Sequence, residues 1–424
     1  MVVNVSRLLN IGLRCVTLGA RFLFVFLLAK YLDPAAVGYY GLFTATVGYA
    51  LYFVGLDFYT YVTREIIKTP NDQRGSLLKG QAALSGGVYL VFLPIAFVFL
   101  HQAGWPRNLV WWFFPILLLE HFNQEMSRLF VALSEQITAS LILFVRQGSW
   151  AIAIVAFMAW DANFRHLNAV MALWACSGVA AAAMSIWKIR RMRMGGWQMH
   201  IDWLWIKKGI GISTVFLMAT LALRGVQTID RYWLEALGGI EIVGAYVLFL
   251  SVAGSMMVFL DAGVFAYAYP ALISLSQNQQ YEVARAKVWQ IFLQTLALSA
   301  AFGVVSWLLL PYLLTWINKP AYTSALGMYP WLLMATIMNA ISMAPHYALY
   351  ARGFDRTIIF SHLAALPVFV LFTWGFSNFS KAHAPMAVPF GINISFALIF
   401  VWKSVAYWRI DKKESVSQQV QQNI

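Results

Sequence analysis

Five arginines sit where arginine is costly. Arg14, Arg21, Arg146, Arg224 and Arg231 each lie within a long apolar run rather than at its end. An ionised side chain at membrane depth costs at least about 2.5–3.5 kcal/mol, so such groups face a polar cavity or a partner. Arg14 and Arg21 are seven residues apart, which on a helix places them on nearly one face, about 10 Å apart along the axis. Arg224 and Arg231 repeat that spacing. The planar guanidinium fork makes paired, charge-assisted hydrogen bonds to phosphate or carboxylate. The pattern predicts a cationic chamber for an anionic substrate, with the two pairs facing one another and Arg146 joining them on depth alone. The competing reading is that these side chains reach an interface or pair with buried acids. Arg14 is placed for the first, and Asp230 sits beside Arg231.

The acids at comparable depth are Asp57, Glu120, Glu125, Asp230 and Asp261. Glu120 and Asp230 are the stronger candidates for proton or sodium coupling, or for counter-ions to arginine. Asp57, Glu125 and Asp261 fall towards helix ends, where a solvated role is expected. His121, His346 and His362 are each isolated in sequence, and each is expected to make one satisfied polar contact. Cys15 and Cys176 read as packing residues. The sequence has no CxxC, HExxH, GxSxG or Gly-rich phosphate loop, so neither a metal site, a cofactor nor a catalytic triad is indicated.

The elements that must position these groups are helices in a bilayer. Of 424 residues, 61% are hydrophobic and 11% charged, against about 25% charge in an ordinary soluble domain. Continuously apolar runs of about 20 residues fit the hydrocarbon thickness, and their lack of alternation excludes a barrel. The first run is long enough to span and lacks a cleavage site after it. Charge, Pro and Gly divide the chain into twelve spans: 6–30, 36–63, 79–100, 109–129, 137–160, 167–187, 209–237, 242–273, 283–310, 324–350, 358–376 and 384–408. With both termini cytoplasmic, 20 of the 30 Lys and Arg fall on the inner face, among them Arg7, Arg128, Lys403 and Lys413, and five on the outer face. That asymmetry is the positive-inside rule, and one span more or fewer would destroy it. The net charge of +13 is thereby accounted for by anionic lipid, with no nucleic acid required.

The halves repeat. A shift of 206 aligns Val37–Tyr61 with Val243–Tyr267 at 8 identities in 25 positions, including a shared VGxYxLF string. A shift of 210 aligns Leu13, Arg14, Val16, Arg21 and Leu27 with Leu223, Arg224, Val226, Arg231 and Leu237. Six spans per half preserve orientation, so the expected fold is an all-α membrane protein of two parallel six-helix lobes around a central cavity, working by alternating access. The expected divisions are an N-terminal lobe at 1–190, a cytoplasmic linker at 191–206, a C-terminal lobe at 207–410, and a polar, disordered cytoplasmic tail at 411–424.

The segments Gly19–Phe43 (GARFLFVFLLAKYLDPAAVGYYGLF), Gly55–Ile66 (GLDFYTYVTREI) and Ile229–Phe249 (IDRYWLEALGGIEIVGAYVLF) resemble Wzx-type O-antigen or polysaccharide-repeat flippases. These belong to the multidrug/oligosaccharidyl-lipid/polysaccharide exporter superfamily, so a MATE-like fold is implied. The resemblance implies an undecaprenyl-diphosphate-linked oligosaccharide as substrate and delivery from the cytoplasmic to the periplasmic leaflet of the bacterial inner membrane. It implies a polysaccharide polymerase and a chain-length regulator as partners, with H+ or Na+ as candidate coupling ions and no other cofactor. It also implies that the first and seventh helices, with Arg14, Arg21, Arg224 and Arg231, line the cavity. The rival readings are a multidrug or cation antiporter of the same superfamily, which calls for acids rather than arginines, and a polysaccharide polymerase or ligase. The short outer loops assemble no acid, base and nucleophile, so a non-enzymatic role is expected.

Overall fold

The computed structural model describes the backbone of residues 5–379 and 381–422, and their side chains apart from 5–8, 215, 216, 382 and 413–422. Arg7 and Lys413 therefore lie outside the described side chains. The elements, in chain order, are α1 (Val5–Tyr31), α2 (Pro34–Gly55), α3 (Tyr59–Lys68), α4 (Arg74–Gln102), α5 (Arg107–Ala132), α6 (Gln136–Leu143), α7 (Trp150–Trp160) and α8 (Leu167–Arg191). They continue as α9 (Trp203–Gly238), α10 (Ile240–Leu260), α11 (Ala266–Gln277), α12 (Tyr281–Ile317), α13 (Pro320–Ser324), α14 (Tyr329–Ile341), α15 (Met343–Ala351), α16 (Asp355–Phe379) and α17 (Ala387–Gln422). Single π-helical turns, Phe144–Ser149 and Asp261–Phe265, join α6 to α7 and α10 to α11. No strand occurs among the described residues.

Among the described residues, ten helical stretches are long and apolar enough to cross a bilayer, and α9, bent by 52°, makes an eleventh if it is one span. The remaining expected span is α5, whose 26 residues reach about 39 Å at 1.5 Å per residue. Its second half carries Glu120, His121, Asn123, Glu125 and Arg128, so length allows it to cross where composition alone does not. The long helices α4 and α12 are mostly uncovered, and the exposed set includes Leu90, Val91, Val304 and Leu308. An apolar exterior on that scale is what lipid contact requires.

The chain forms two compact units, Met1–Ala36 with Leu42–Leu221, and Val37–Gly41 with Ala222–Ile424. The division falls inside α9, not in the 191–206 linker expected from sequence. Two sets of contacts explain this. The linker is pinned to the 70–75 loop: Gly75 N–H donates to Gly195 O at 2.7 Å, and Gly195 N–H to Asn71 O at 2.9 Å. Lys79 Nζ also donates to Trp197 O and Met199 O, at 3.3 and 3.1 Å. The first half of α9 then packs on Phe58 and Tyr61, approaching so closely at Gly209 that a Cβ there would stand 2.4 Å from both rings. The tail also differs from expectation, because α17 continues through Gln422 rather than ending near Trp408.

Within the first unit, α5 and α8 pack on one another and on the α6–α7 segment, around Phe43, Phe113, Trp150 and Trp174. Trp150 and Trp174 stack at 5.4 Å with 10° between planes. Within the second unit, α17 packs against α14, α15 and α16, and Met256, Leu260, Phe265, Ile291 and Ala344 form one apolar cluster. The free cysteines are exposed on their helices, not packed inside as expected.

The second long helix of each repeat is interrupted at the same place. Leu56 and Asp57 break the path from α2 to α3 with φ of 50° and 49°. Under the shift of 206, residues 55–59 coincide with the π-helical turn at Asp261–Phe265.

Candidate functional site

In the first unit, α1 presents Arg14 and Arg21 along one exposed face. Arg14 Nε donates to Ser140 Oγ at 3.2 Å, and Arg21 Nη1 to Gln147 Oε1 at 2.9 Å. Both partners stand 126 residues further along the chain, so the seven-residue spacing on α1 is matched by a seven-residue spacing on the α6–π segment. Two helices running in the same direction give this register. Ser140 is also bonded to Asn10. Gly148 keeps the segment close to α1, since a Cβ there would come within 3.2 Å of Thr17 Cα. Both arginines are thus steadied by neutral groups, and neither has an ion-pair partner among the described residues.

Arg146, expected beside them, does not join that face. The π-helical turn sends it into the core of the first unit. There Arg146 Nη2 and Nε lie 2.5 and 2.7 Å from one oxygen of Glu120. The pair is 6% and 7% exposed. The other Glu120 oxygen accepts from Trp174 Nε1 at 2.8 Å, and Trp150 Nε1 donates to Arg146 O at 3.0 Å. Both carboxylate oxygens are used, which a buried ion pair needs to offset desolvation. Glu120 stands here as the counter-ion of Arg146.

In the second unit, Arg224 is exposed and donates from Nη1 to Gln227 Oε1 at 2.9 Å. Arg231 is half-buried: its Nη1 is bonded to Gln227 O and stands 3.5 Å from Asp230 Oδ1. Asp230, 2% exposed, accepts from Arg231 N–H at 2.7 Å and from the Tyr246 hydroxyl at 2.5 Å. The two lobes are therefore unequal at equivalent positions. Arg21 is held by an amide, whereas Arg231 is held beside a carboxylate.

Asp57 is buried, not solvated as expected; it sits at the α2–α3 break and hydrogen-bonds to Thr220, with Arg128 as its nearby cation. Glu125 is also covered: Arg128 Nη1 and Gln81 Nε2 each donate to it at 2.6 Å, and Arg128 lies 3.5 Å over the Tyr59 ring. Asp261 is exposed on its π-helical turn, in line with a solvated acid. His121 meets the Tyr89 hydroxyl at 2.9 Å through Nδ1, while its Nε2 is buried without a partner. No cluster of three or more His, Cys, Asp or Glu suited to a metal occurs among the described residues.

One group escaped the sequence reading. Lys403, counted with the inner-face charges, turns inward and is 2% exposed. Its Nζ lies 3.1 Å from His362 Nε2, and the His362 ring stacks on His346 at 6.1 Å and 14°. The two histidines are thus not isolated. The signal was available: Lys403 is embedded in the apolar string ALIFVWKSVAYW, five or more residues from the next charge on either side.

No protein-family model matches this sequence, and no curated protein is similar to it at a significant level. Solved structures do match. One is the inward-facing conformation of a multidrug resistance MATE family transporter of the MOP superfamily, with a TM-score of 0.77 and 11% identity, covering 94% of this chain and 99% of that one. An outward-facing conformation of a multidrug resistance MATE family transporter matches with a TM-score of 0.61 and 12% identity, covering 96% and 95%. A variant of the Vibrio cholerae MATE transporter VcmN matches with a TM-score of 0.59 and 13% identity, covering 96% and 98%. At these identities the likeness establishes the fold: a multi-pass, all-helical membrane protein of the MATE type, as the resemblance implies.

Proposed function

We propose that this chain is a flippase, carrying an undecaprenyl-diphosphate-linked oligosaccharide from the cytoplasmic to the periplasmic leaflet by alternating access. The observation that carries the reading is the exposed face of α1, where Arg14 and Arg21 stand about 10 Å apart with only neutral hydrogen-bond partners. Two uncompensated guanidinium groups at membrane depth are costly unless water or an anion meets them. A diphosphate matches them in charge and in geometry. In the second unit, exposed Arg224 likewise has a neutral hydrogen-bond partner in Gln227. The acids support the same sign, since Glu120, Asp230 and Asp57 are buried against their own partners.

The barrier to flipping is the transfer of a charged, hydrated head group through hydrocarbon. A wet basic surface lowers that barrier, while the prenyl chain stays in lipid. A membrane potential negative inside favours outward movement of an anion, by about 2.3 kcal/mol per charge per 100 mV. The location follows from the substrate: an inner membrane, with both termini cytoplasmic, and a polysaccharide polymerase and chain-length regulator acting on the delivered unit.

The similarity to multidrug transporters supports a second reading, in which the cargo is an organic cation. Such a cargo calls for an exposed acid, and Asp261 is the exposed acid among those at depth. The test is a deletion strain. Under the first reading a lipid-linked repeat unit accumulates on the cytoplasmic leaflet and is identified by mass spectrometry. Export returns with the wild-type chain and not with Arg14→Ala or Arg21→Ala, although both variants reach the membrane folded. Full export by those variants refutes the assignment, and drug sensitivity without lipid accumulation selects the second reading.

A further inference from the structure

The strongest unexplained feature lies in the second unit, away from the arginines. An aliphatic amine is buried there with no carboxylate to balance it. Lys403 comes from α17, His362 from α16 and His346 from α15. The Lys403 amine has one hydrogen-bond partner among the described residues, His362 Nε2 at 3.1 Å. His346, stacked on His362, has its Nδ1 buried without a partner. A charge placed on one member of the set is felt by the others: Lys403 acts on His362, and both act on His346.

Among the described residues, no carboxylate bonds to the set. The acid closest along α17 is Asp411, two turns on, and it is committed to Arg285 at 3.0 Å and Arg352 at 3.2 Å. From α15 come Tyr347 and Tyr350, which pack with Tyr269 of α11. Tyr407 lies one turn beyond Lys403 on α17 and takes Arg352 over its ring at 5.1 Å. Tyr329, the ionisable side chain of α14, donates to Ser306. A core that merely needed filling would use apolar residues here, since an unbalanced buried charge costs several kcal/mol. Three bases gathered without an acid form instead a site for one added proton, which the set can share and which changes the charge of the lobe when it enters or leaves.

We propose that Lys403, His362 and His346 form a proton-binding site within the second unit, and that H+ is the ion it takes. The proton arrives from water and settles on the Lys403–His362 hydrogen bond, where either nitrogen can hold it. Three helices of one lobe meet at this point, so occupancy acts on the packing of α15, α16 and α17. The inference stands whatever the cargo is, because it rests on the second unit alone.

The test uses the full chain in detergent, labelled with 15N-histidine; of its seven histidines, the signals of His346 and His362 are assigned with His346→Gln and His362→Gln. The expected result is that the His362 ring signals titrate between about pH 5 and pH 9. Lys403→Met, which removes the amine, is expected to move the midpoint by about one pH unit or more. Lys403→Arg, which fixes a cation in place, is expected to abolish titration in that range, although a packing role would tolerate it. The variants are checked by size-exclusion profile and helical circular dichroism, and the wild-type titration needs neither of them. His362 signals that stay constant over the range in the wild-type protein overturn the proposal. So does a midpoint that both lysine variants leave unchanged.

Discussion

Glu120 and Arg146 show how little of a buried site a sequence specifies. Their depth is legible from the apolar runs around them, but depth says nothing of which way a side chain points on its helix. The π-helical turn at Phe144–Ser149 decides that, by shifting Arg146 inward while Gln147 is left to meet Arg21. Arg14 and Arg21 were legible as a pair because a seven-residue spacing keeps one face on any regular helix. Their partners were not, because Ser140 and Gln147 are ordinary polar residues until α6 is laid beside α1. The Lys403 cluster was missed for the same reason, its three members coming from three helices. The buried pair makes a clear prediction. Glu120→Gln strands a guanidinium that is 6% exposed and is expected to destabilise the first unit by about 3–5 kcal/mol. The double replacement Glu120→Leu with Arg146→Met removes both charges and is expected to recover most of that loss. Thermal unfolding of the purified protein in detergent measures both, and a double variant no better than the single one contradicts a simple ion pair.

Helices were far easier to read than their interruptions. Hydropathy and charge locate a span because the bilayer imposes its length. They do not register a change in hydrogen-bond pattern, so the α2–α3 break and the two π-helical turns had no counterpart in the sequence reading. The internal repeat nevertheless held the information: residues 55–59 and 261–265 coincide under the same shift that aligns the VGxYxLF strings. Extra turns and breaks of this kind concentrate at functional sites. The glycines of α9 test how its first half is seated. Gly209 stands where a Cβ would meet Phe58 and Tyr61, whereas Gly211 has open space. In a helix interior Ala is favoured over Gly by about 0.8–1.0 kcal/mol. Gly211→Ala is therefore expected to leave stability unchanged or raise it, and Gly209→Ala to lower it by about 1–3 kcal/mol through overpacking. Equal melting temperatures for the two variants would contradict the close seating of α9 on Phe58 and Tyr61.

At the level of the whole molecule, the apolar exterior shows that this chain belongs in a bilayer, and the charge pattern proposes which way round it sits. Twenty of the 30 basic residues fall on one side and five on the other when the twelve spans alternate. Each juxtamembrane basic residue contributes about 1 kcal/mol of attraction to an anionic leaflet, so the difference is large against thermal energy and the orientation should be single. Exposed Arg107, at the start of α5, and exposed Arg356, in the first turn of α16, fall on opposite sides in that arrangement. With exposed Cys15 and Cys176 first replaced by serine, Arg107→Cys is expected to react with a membrane-impermeant maleimide in intact cells. Arg356→Cys is expected to react only after the membrane is opened. The opposite pattern would invert the chain and place the basic face outside. Labelling of both sites from one side would mean that one long helix between them fails to cross. The first candidate would then be α5, whose polar second half makes its crossing depend on the partners it finds inside the first unit.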